Sequence, residues 1–217
     1  MKKYLLLAVI FSAMLFAACS NEAHVPNTHG VYMLVDTSGT YTQELEQAQR
    51  IINFTLSKLN PGDTFAVARV DTGSFSEKDI VMKQTFDDRP SAANQQKRKF
   101  RDAIDTFIKN AKPSSYTDIT GGILQAIEYL NEAETGKKTI LIFSDLKEEL
   151  SKGFVRDIPL QLNGFRVVAV NVTKLRSDNV DPREYMTRLE TWQTRVESGG
   201  GTWKVINDLS RLEPIFN

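Results

Sequence analysis

Short apolar runs alternate along the chain with longer segments in which apolar residues recur every three or four positions. The runs at 30–35 and 139–143 are almost continuously apolar, which is the pattern of strands buried on both faces of a parallel sheet. The more polar run at 79–86 is typical of a strand at a sheet edge. The predicted strands, in chain order, are 30–35, 64–70, 79–86, 139–143, 166–172 and 202–206.

Segments with helical spacing separate most of these strands. The clearest is 95–111, where Phe100, Ile104 and Phe107 share one face. Because strands and helices alternate about five times, we predict an α/β fold, with a doubly wound, mostly parallel sheet, helices on both faces and one antiparallel edge strand. The predicted helices cover 43–59, 95–111, a segment from 119 to 130, 154–162 and a long segment that begins near 181.

The composition is that of an ordinary globular protein, with 217 residues of which 41% are apolar and 25% charged. This length suits one α/β domain with a substantial core. Basic and acidic residues number 27 each, so no overall field of one sign favours nucleic acid, and we predict no nucleic-acid partner. Cys19 is the one cysteine, which excludes disulfide bonds and thiolate metal sites from the domain that follows it.

The N-terminus has the three parts of a secretion signal. A basic start at 2–3 precedes an apolar run at 5–16, and small residues follow at 17–18. Cys19 comes directly after them, and the segment 15–19 resembles the lipobox of bacterial lipoproteins. The resemblance implies cleavage before Cys19 and lipidation of its thiol, which would attach the chain to a membrane.

These features divide the chain into a lipoprotein signal peptide at 1–18, a lipidated cysteine with a polar tether at 19–28, and one folded domain at 29–217. We therefore expect an exported protein that is lipid-anchored to the bacterial cell envelope, at the outer membrane or the periplasmic face. The alternative is an ordinary leader that is cut near Ser20, in which case Cys19 is discarded.

Two of the apolar strands run directly into an aspartate, Asp36 after the first and Asp145 after the run at 139–143. Ligands of open parallel sheets bind beyond the carboxyl ends of the strands, where the loops converge. We expect the hydroxyls of Ser38, Thr40 and Thr117 to meet the two carboxylates there. Five oxygen donors without sulfur or imidazole suit a hard cation such as Mg²⁺. Taken singly, Asp36 and Asp145 have an alternative role in capping a helix or fixing a loop, and Ser38 or Thr40 in capping the first helix.

The same residues carry a resemblance to the von Willebrand factor A family. The metal-ion-dependent adhesion site of that family reads Asp-x-Ser-x-Ser, then a Thr, then an Asp at the end of a later strand. Asp36, Ser38 and Thr40 match the first motif, Thr117 matches the second, and Asp145 matches the third. The motifs occur in the expected order, and the resemblance covers nearly the whole predicted domain.

The resemblance implies a Rossmann-like fold, a Mg²⁺ or Mn²⁺ ion, and binding to another protein. Ser38, Thr40 and Thr117 would be direct ligands, and the two aspartates would contact the ion directly or through water. A partner Asp or Glu side chain would complete the shell. Two positions depart from the family pattern, since Thr40 replaces the usual Ser and Leu146 follows Asp145 in place of the common Gly.

Two other functions are compatible with parts of the pattern. A domain of this fold can bind its partner without a metal. A phosphatase of the haloacid dehalogenase type also places an Asp-led motif at a strand end, but that chemistry needs a second carboxylate as proton shuttle, and position 38 is Ser. We therefore predict a binding module that is not an enzyme and has no catalytic residues.

Overall fold

The computed structural model describes residues 26–70 and 76–216, so Cys19 and the leader lie outside the described residues. The strands are β1 (His29–Val35), β2 (Thr64–Arg69), β3 (Ile80–Thr85), β4 (Lys137–Phe143), β5 (Phe165–Val170) and β6 (Thr202–Ile206). The α-helices are α1 (Leu45–Lys58), α2 (Pro90–Asn110), α3 (Ile119–Glu132) and α4 (Arg183–Ser198). In this part of the chain no helix is both long and apolar enough to cross a membrane.

The six strands form one sheet in the order β3-β2-β1-β4-β5-β6. All neighbouring strands pair in parallel except β3, which lies antiparallel to β2 at one edge. β1 and β4, which carry the most continuous apolar runs, are the two central strands. The predicted fold class, including the antiparallel edge strand, is confirmed.

Helices cover both faces of this sheet and bury a core on each side. Val31 and Met33 of β1 point to the face covered by α1 and α2, and Tyr32 and Leu34 point to the face covered by α3 and α4. All four side chains are inaccessible to solvent. Burying an apolar side chain of this size contributes about 1.5–3 kcal/mol, so the two cores hold the central strands rigidly in place.

The helix predicted at 154–162 is wrong, because these residues form an irregular segment without helix or strand between β4 and β5. Leu160 and Leu162 are both buried, and a spacing of two residues is the period of extended chain. Pro159 lacks an amide hydrogen and disfavours helical backbone at the residue before it. Phe154, at the start of the predicted helix, is 48% exposed.

Candidate metal site

The loops that follow β1 and β4 leave the sheet side by side. The chain continues from β1 to β2 on one side and from β4 to β5 on the other, so a crevice opens between their carboxyl ends. At this point the Asp36 amide donates a hydrogen bond of 2.9 Å to the carbonyl oxygen of Phe143. Asp36 and Asp145 therefore lie at the same edge of the sheet, on two adjacent loops.

Donors from both loops hold the Asp36 carboxylate, which is fully buried. The Ser38 amide donates to its Oδ1 at 2.7 Å, and the Ser144 hydroxyl donates to its Oδ2 at 2.6 Å. The Leu146 amide in turn donates to the Ser144 hydroxyl oxygen at 3.0 Å. Charge-assisted bonds of this kind fix the orientation of the carboxylate and connect the two loops.

The second carboxylate, that of Asp145, is nearly as buried, with 5% of the residue exposed. Its Oδ1 accepts the Lys147 amide at 2.9 Å. Burial raises the pKa of the Asp145 carboxyl to about 6; the Lys147 amide opposes this increase, and the negative charge of Asp36 adds to it. Ionised Asp145 is thus destabilised in the protein alone, and a cation beside the two carboxylates would offset that destabilisation.

The loop before α3 is attached to the same edge by backbone hydrogen bonds. The Gly39 amide donates to the Ser114 carbonyl at 2.9 Å, and the Ser114 amide donates to the Thr37 carbonyl at 3.2 Å. Thr117 exchanges two backbone bonds with Glu149, of 2.8 and 2.9 Å. Thr117 is 1% exposed, so its hydroxyl is held inside this edge of the sheet.

These loops enclose a cavity of about 340 Å³ at the carboxyl edge of the sheet. Ser38, Thr117 and Asp145 line it, together with Lys147 and Glu149, whose side chains pair at 2.6 Å. Asp36 is linked to this lining by its bond to the Ser38 amide. The side chain of Thr40 lies outside the described part of the structure. The structure thus brings together four of the five predicted ligand residues.

The candidate site has few negatively charged side chains with which to bind a metal ion. Among the described residues, no group of three or more His, Cys, Asp or Glu side chains could hold a metal ion. Asp36 and Asp145 offer two carboxylates, the Glu149 carboxylate is already paired with Lys147, and the other side-chain oxygen donors of the crevice are hydroxyls. All are oxygen, so the set fits Mg²⁺ or Mn²⁺ and does not fit softer metals. A cation held here would retain room for an oxygen ligand from another molecule.

Leu146, the second departure from the family pattern, adopts a backbone conformation that normally requires glycine. Its φ is +67°, in the left-handed region. Its side chain is 2% exposed and packs in the core on the α3 and α4 face, and its carbonyl accepts the Trp192 indole N–H at 3.0 Å. Packing and this hydrogen bond offset the backbone strain, so the loop keeps the turn that carries Asp145.

Two supporting contacts were not identified from the sequence. Ser144 bridges the loops, and its position directly before Asp145 is the one local signal that could have indicated this. Asp118 is fully buried beside Thr117, caps α3 by accepting the Gly121 amide at 2.8 Å, and pairs with Arg156 at 2.6 Å. The sequence gives no signal for the Asp118 pair, because its members are 38 residues apart.

A model of the von Willebrand factor type A domain matches residues 30–199. The match covers well over half of the chain, and the chain belongs to this family. The resemblance drawn from the three motifs is therefore confirmed at the level of the family. No curated protein sequence matches the chain.

Solved structures share the fold at low sequence identity. A von Willebrand factor type A protein from Catenulispora acidiphila is similar with a TM-score of 0.55 and 16% identity, over 88% of this chain and 41% of that chain. The open conformation of the pilus adhesin SpaC from Lactobacillus rhamnosus GG is similar with a TM-score of 0.53 and 10% identity, over 88% of this chain and 29% of that chain. This chain spans less than half of either protein, and the likeness shows the fold alone.

Proposed function

We propose that the chain is a metal-ion-dependent protein-binding module on a lipid-anchored envelope protein. Mg²⁺, or Mn²⁺ in its place, would be held by Asp36, Ser38, Thr40, Thr117 and Asp145. The observation that carries this proposal is the state of Asp145, whose carboxyl is buried beside Asp36 with its pKa raised to about 6. A divalent cation is the simplest partner that stabilises two ionised carboxylates in such a crevice.

The proposed partner is a protein that contributes an Asp or Glu side chain. When bound, the metal supplies a coordination position that an outside oxygen can fill. The charge that the chain offers is limited, because both aspartates already accept hydrogen bonds and the remaining ligands are neutral hydroxyls. A partner carboxylate would add the missing charge, so attachment would depend on the metal. SpaC, which shares the fold, is a pilus adhesin, and we assign a comparable attachment role to this chain.

The lipid anchor is the second part of the proposal. The lipobox-like segment 15–19 supports lipidation of Cys19, and the polar stretch that follows supplies a tether to the domain. A domain held in this way would act at the surface of the cell envelope, at the outer membrane or the periplasmic face. Its partner would then be another protein of the envelope or a protein in contact with it.

Calorimetric titration of Mg²⁺ and Mn²⁺ into the full chain in a nonionic detergent tests the metal part. The test variant is Asp36→Ala with Ser38→Ala. The matched control is Asp208→Ala with Ser210→Ala, a pair with the same Asp-x-Ser spacing on an exposed turn. There too the serine amide donates to the aspartate, from Ser210 to Asp208 at 3.0 Å. We expect saturable binding by the unmodified chain and by the control, and none by the test variant.

The same titration separates the proposal from its main alternative. Saturable binding that survives in the Asp36→Ala, Ser38→Ala variant would place the metal elsewhere. Absence of binding in the unmodified chain would favour a domain that binds its partner without a metal. Repeating the titration in the presence of a glutamate-bearing peptide checks whether an external carboxylate is needed to complete the shell.

We also propose that the site is not an enzyme active site. A phosphatase of the haloacid dehalogenase type needs an acid-base carboxylate two residues after its nucleophilic aspartate, and Ser38 occupies that position. An assay with a generic phosphate ester tests this directly. We expect no turnover, and metal-dependent turnover that is abolished by Asp36→Asn would overturn this part of the proposal.

A further inference from the structure

Glu148 lies three residues after Asp145, in the loop that follows β4. A glutamate that stands between two other charged residues, here Lys147 and Glu149, normally extends into solvent. This side chain is only 20% exposed, and its carboxylate contacts the first turn of α3. Its Oε1 accepts the backbone amide of Thr120 at 2.7 Å, and its Oε2 accepts the Thr120 hydroxyl at 3.0 Å. Glu148 thus binds a residue that is 28 positions away in the chain.

The first turn of α3 accounts for this contact, because the amides at the start of a helix have no carbonyl partners within the helix. Asp118 accepts one of these amides, that of Gly121, at 2.8 Å. Glu148 accepts the neighbouring one, that of Thr120. The positive end of the helix dipole favours a carboxylate at both places. The start of α3 is therefore attached to the loop after β4 by a charge-assisted hydrogen bond.

The two segments that Glu148 joins each carry one predicted metal ligand. Thr117 lies three residues before Thr120. Asp145 lies three residues before Glu148. Between these points the backbones of Thr117 and Glu149 exchange two hydrogen bonds, of 2.8 and 2.9 Å. Because the segments are joined both by backbone and by side chain, they cannot slide past each other, and the Thr117 hydroxyl keeps its position relative to the Asp145 carboxylate.

Arg195 of α4 holds the same contact from a third element. Its Nη2 donates to the Thr120 hydroxyl oxygen at 2.8 Å, and its Nη1 lies 3.5 Å from Oε2 of Glu148. The guanidinium stacks on the Trp192 ring at 4.5 Å, which restricts its orientation. Trp192 itself donates to the Leu146 carbonyl in the loop after β4. The start of α3, this loop and α4 are therefore connected through one network of side chains.

We propose that Glu148 is a positioning residue of the metal site, an inference that rests on the proposed metal function. It acts through Thr120, and not on the ion, by holding the segment of Thr117 against the segment of Asp145. Mg²⁺ demands nearly ideal octahedral geometry, so a small displacement of one ligand oxygen weakens binding. Outer contacts that orient ligands commonly determine metal affinity almost as strongly as the ligands do.

Calorimetric titration of Mg²⁺ into the full chain in a nonionic detergent tests the inference with two variants of Glu148. Glu148→Ala removes both acceptor oxygens and should weaken Mg²⁺ binding about tenfold or more. Glu148→Gln keeps one oxygen that can accept the Thr120 amide, so the loss of affinity should be smaller. Both variants remove the same negative charge. A purely electrostatic effect of Glu148 on the ion therefore predicts equal losses, and a positioning role predicts unequal ones.

The matched control is Tyr129→Phe, which removes a hydrogen bond from the other end of the same helix. The Tyr129 hydroxyl lies 3.0 Å from the hydroxyl of Thr64, and this contact is partly buried. Thr64 is the first residue of β2, so the bond lies at the end of the sheet opposite the metal site. We expect unchanged Mg²⁺ affinity in Tyr129→Phe. This control separates a positioning effect from a general loss of stability in α3.

Hydrogen exchange in the chain without added metal measures the proposed positioning directly. The amides of Thr117 and Glu149 bond across the two segments, and their exchange rates report how often the segments separate. We expect faster exchange at both amides in Glu148→Ala and unchanged exchange in Tyr129→Phe. This readout does not depend on whether the site binds an ion.

Two results would overturn the inference while the metal function stands: Mg²⁺ affinity that is unchanged in Glu148→Ala, or equal losses in Glu148→Ala and Glu148→Gln. Failure of the metal function looks different, because the unmodified chain itself would then bind no Mg²⁺. In that case unchanged exchange at Thr117 and Glu149 overturns the positioning role as well, and faster exchange supports it for the two segments alone.

Discussion

The hydroxyl of Ser144 donates a hydrogen bond of 2.6 Å to Oδ2 of Asp36, across the crevice between the two central strands. This bond joins two loops that are 108 residues apart in the chain and orients the carboxylate on which the proposed metal site is built. Residues that orient a ligand from behind in this way commonly determine metal affinity almost as strongly as the ligands themselves.

Ser144→Ala should therefore weaken Mg²⁺ binding about 10- to 100-fold. It should also lower the free energy of unfolding by about 1–3 kcal/mol, because the buried Asp36 oxygen loses its donor. Calorimetry and urea unfolding measure the two effects. Ser210→Ala is the control, since the Ser210 hydroxyl also donates to an aspartate at 2.6 Å but on the surface. Unchanged Mg²⁺ affinity in Ser144→Ala would contradict the supporting role of Ser144.

Two Arg–Asp pairs of similar geometry should differ greatly in their contribution to stability. Arg188 bonds Asp178 at 2.7 Å, and their side chains are 15% and 0% exposed; Arg183 bonds Asp181 at 2.8 Å, and theirs are 89% and 36% exposed. Arg188→Ala leaves a buried carboxylate without its partner and should cost about 3–5 kcal/mol. Arg183→Ala should cost far less, because solvent screens this exposed pair. Urea unfolding of the two variants measures this contrast, and equal losses would contradict it.

The Asp178 pair also predicts how stability depends on pH. The Arg188 guanidinium holds the pKa of the Asp178 carboxyl below its ordinary value of 3.8. The stabilisation is therefore complete above pH 3.8 and is lost as the pH falls through the lowered pKa of the folded state. Urea unfolding of the unmodified chain and of Asp178→Asn over this range measures it. The difference in unfolding free energy should shrink as the pH falls, and a constant difference would argue against the coupling.

The proposed anchor depends on one side chain. Cys19→Ala removes the thiol that would be lipidated, so the chain should no longer be processed to the lipidated form. Labelling with a radioactive fatty acid, followed by detergent partitioning, detects the change. Ser20→Ala, at the next position, should leave both the fatty-acid labelling and the detergent partitioning unaltered. A Cys19→Ala chain of mature size that still partitions with the membrane would count against the anchor.

The pattern of apolar residues predicted most of the fold, because the buried side chains of each strand and helix recur at the spacing of that element. The buried run that ends at Val35 and the one that ends at Phe143 became the central strands, and this placed Asp36 and Asp145 at one edge. The prediction failed at 154–162, where apolar residues such as Phe154 stay exposed. There, proline and the two-residue spacing of buried leucines determine the backbone, and apolar content alone misleads.

The ligand residues could be proposed from the sequence because they belong to short local motifs at strand ends. The residues that support these ligands could not be predicted from the sequence. Ser144 contacts Asp36, and Arg156 contacts Asp118, only after the sheet and the loops have assembled.

Crystals of the chain grown with Mn²⁺ would test the proposed metal site most directly, because anomalous scattering locates the ion without reference to binding strength. We predict an anomalous peak in the cavity lined by Ser38, Thr117 and Asp145, with oxygen ligands at about 2.1 Å. A cavity without a peak in crystals that hold Mn²⁺ elsewhere, or a peak whose ligands include none of these three residues, would contradict the assignment.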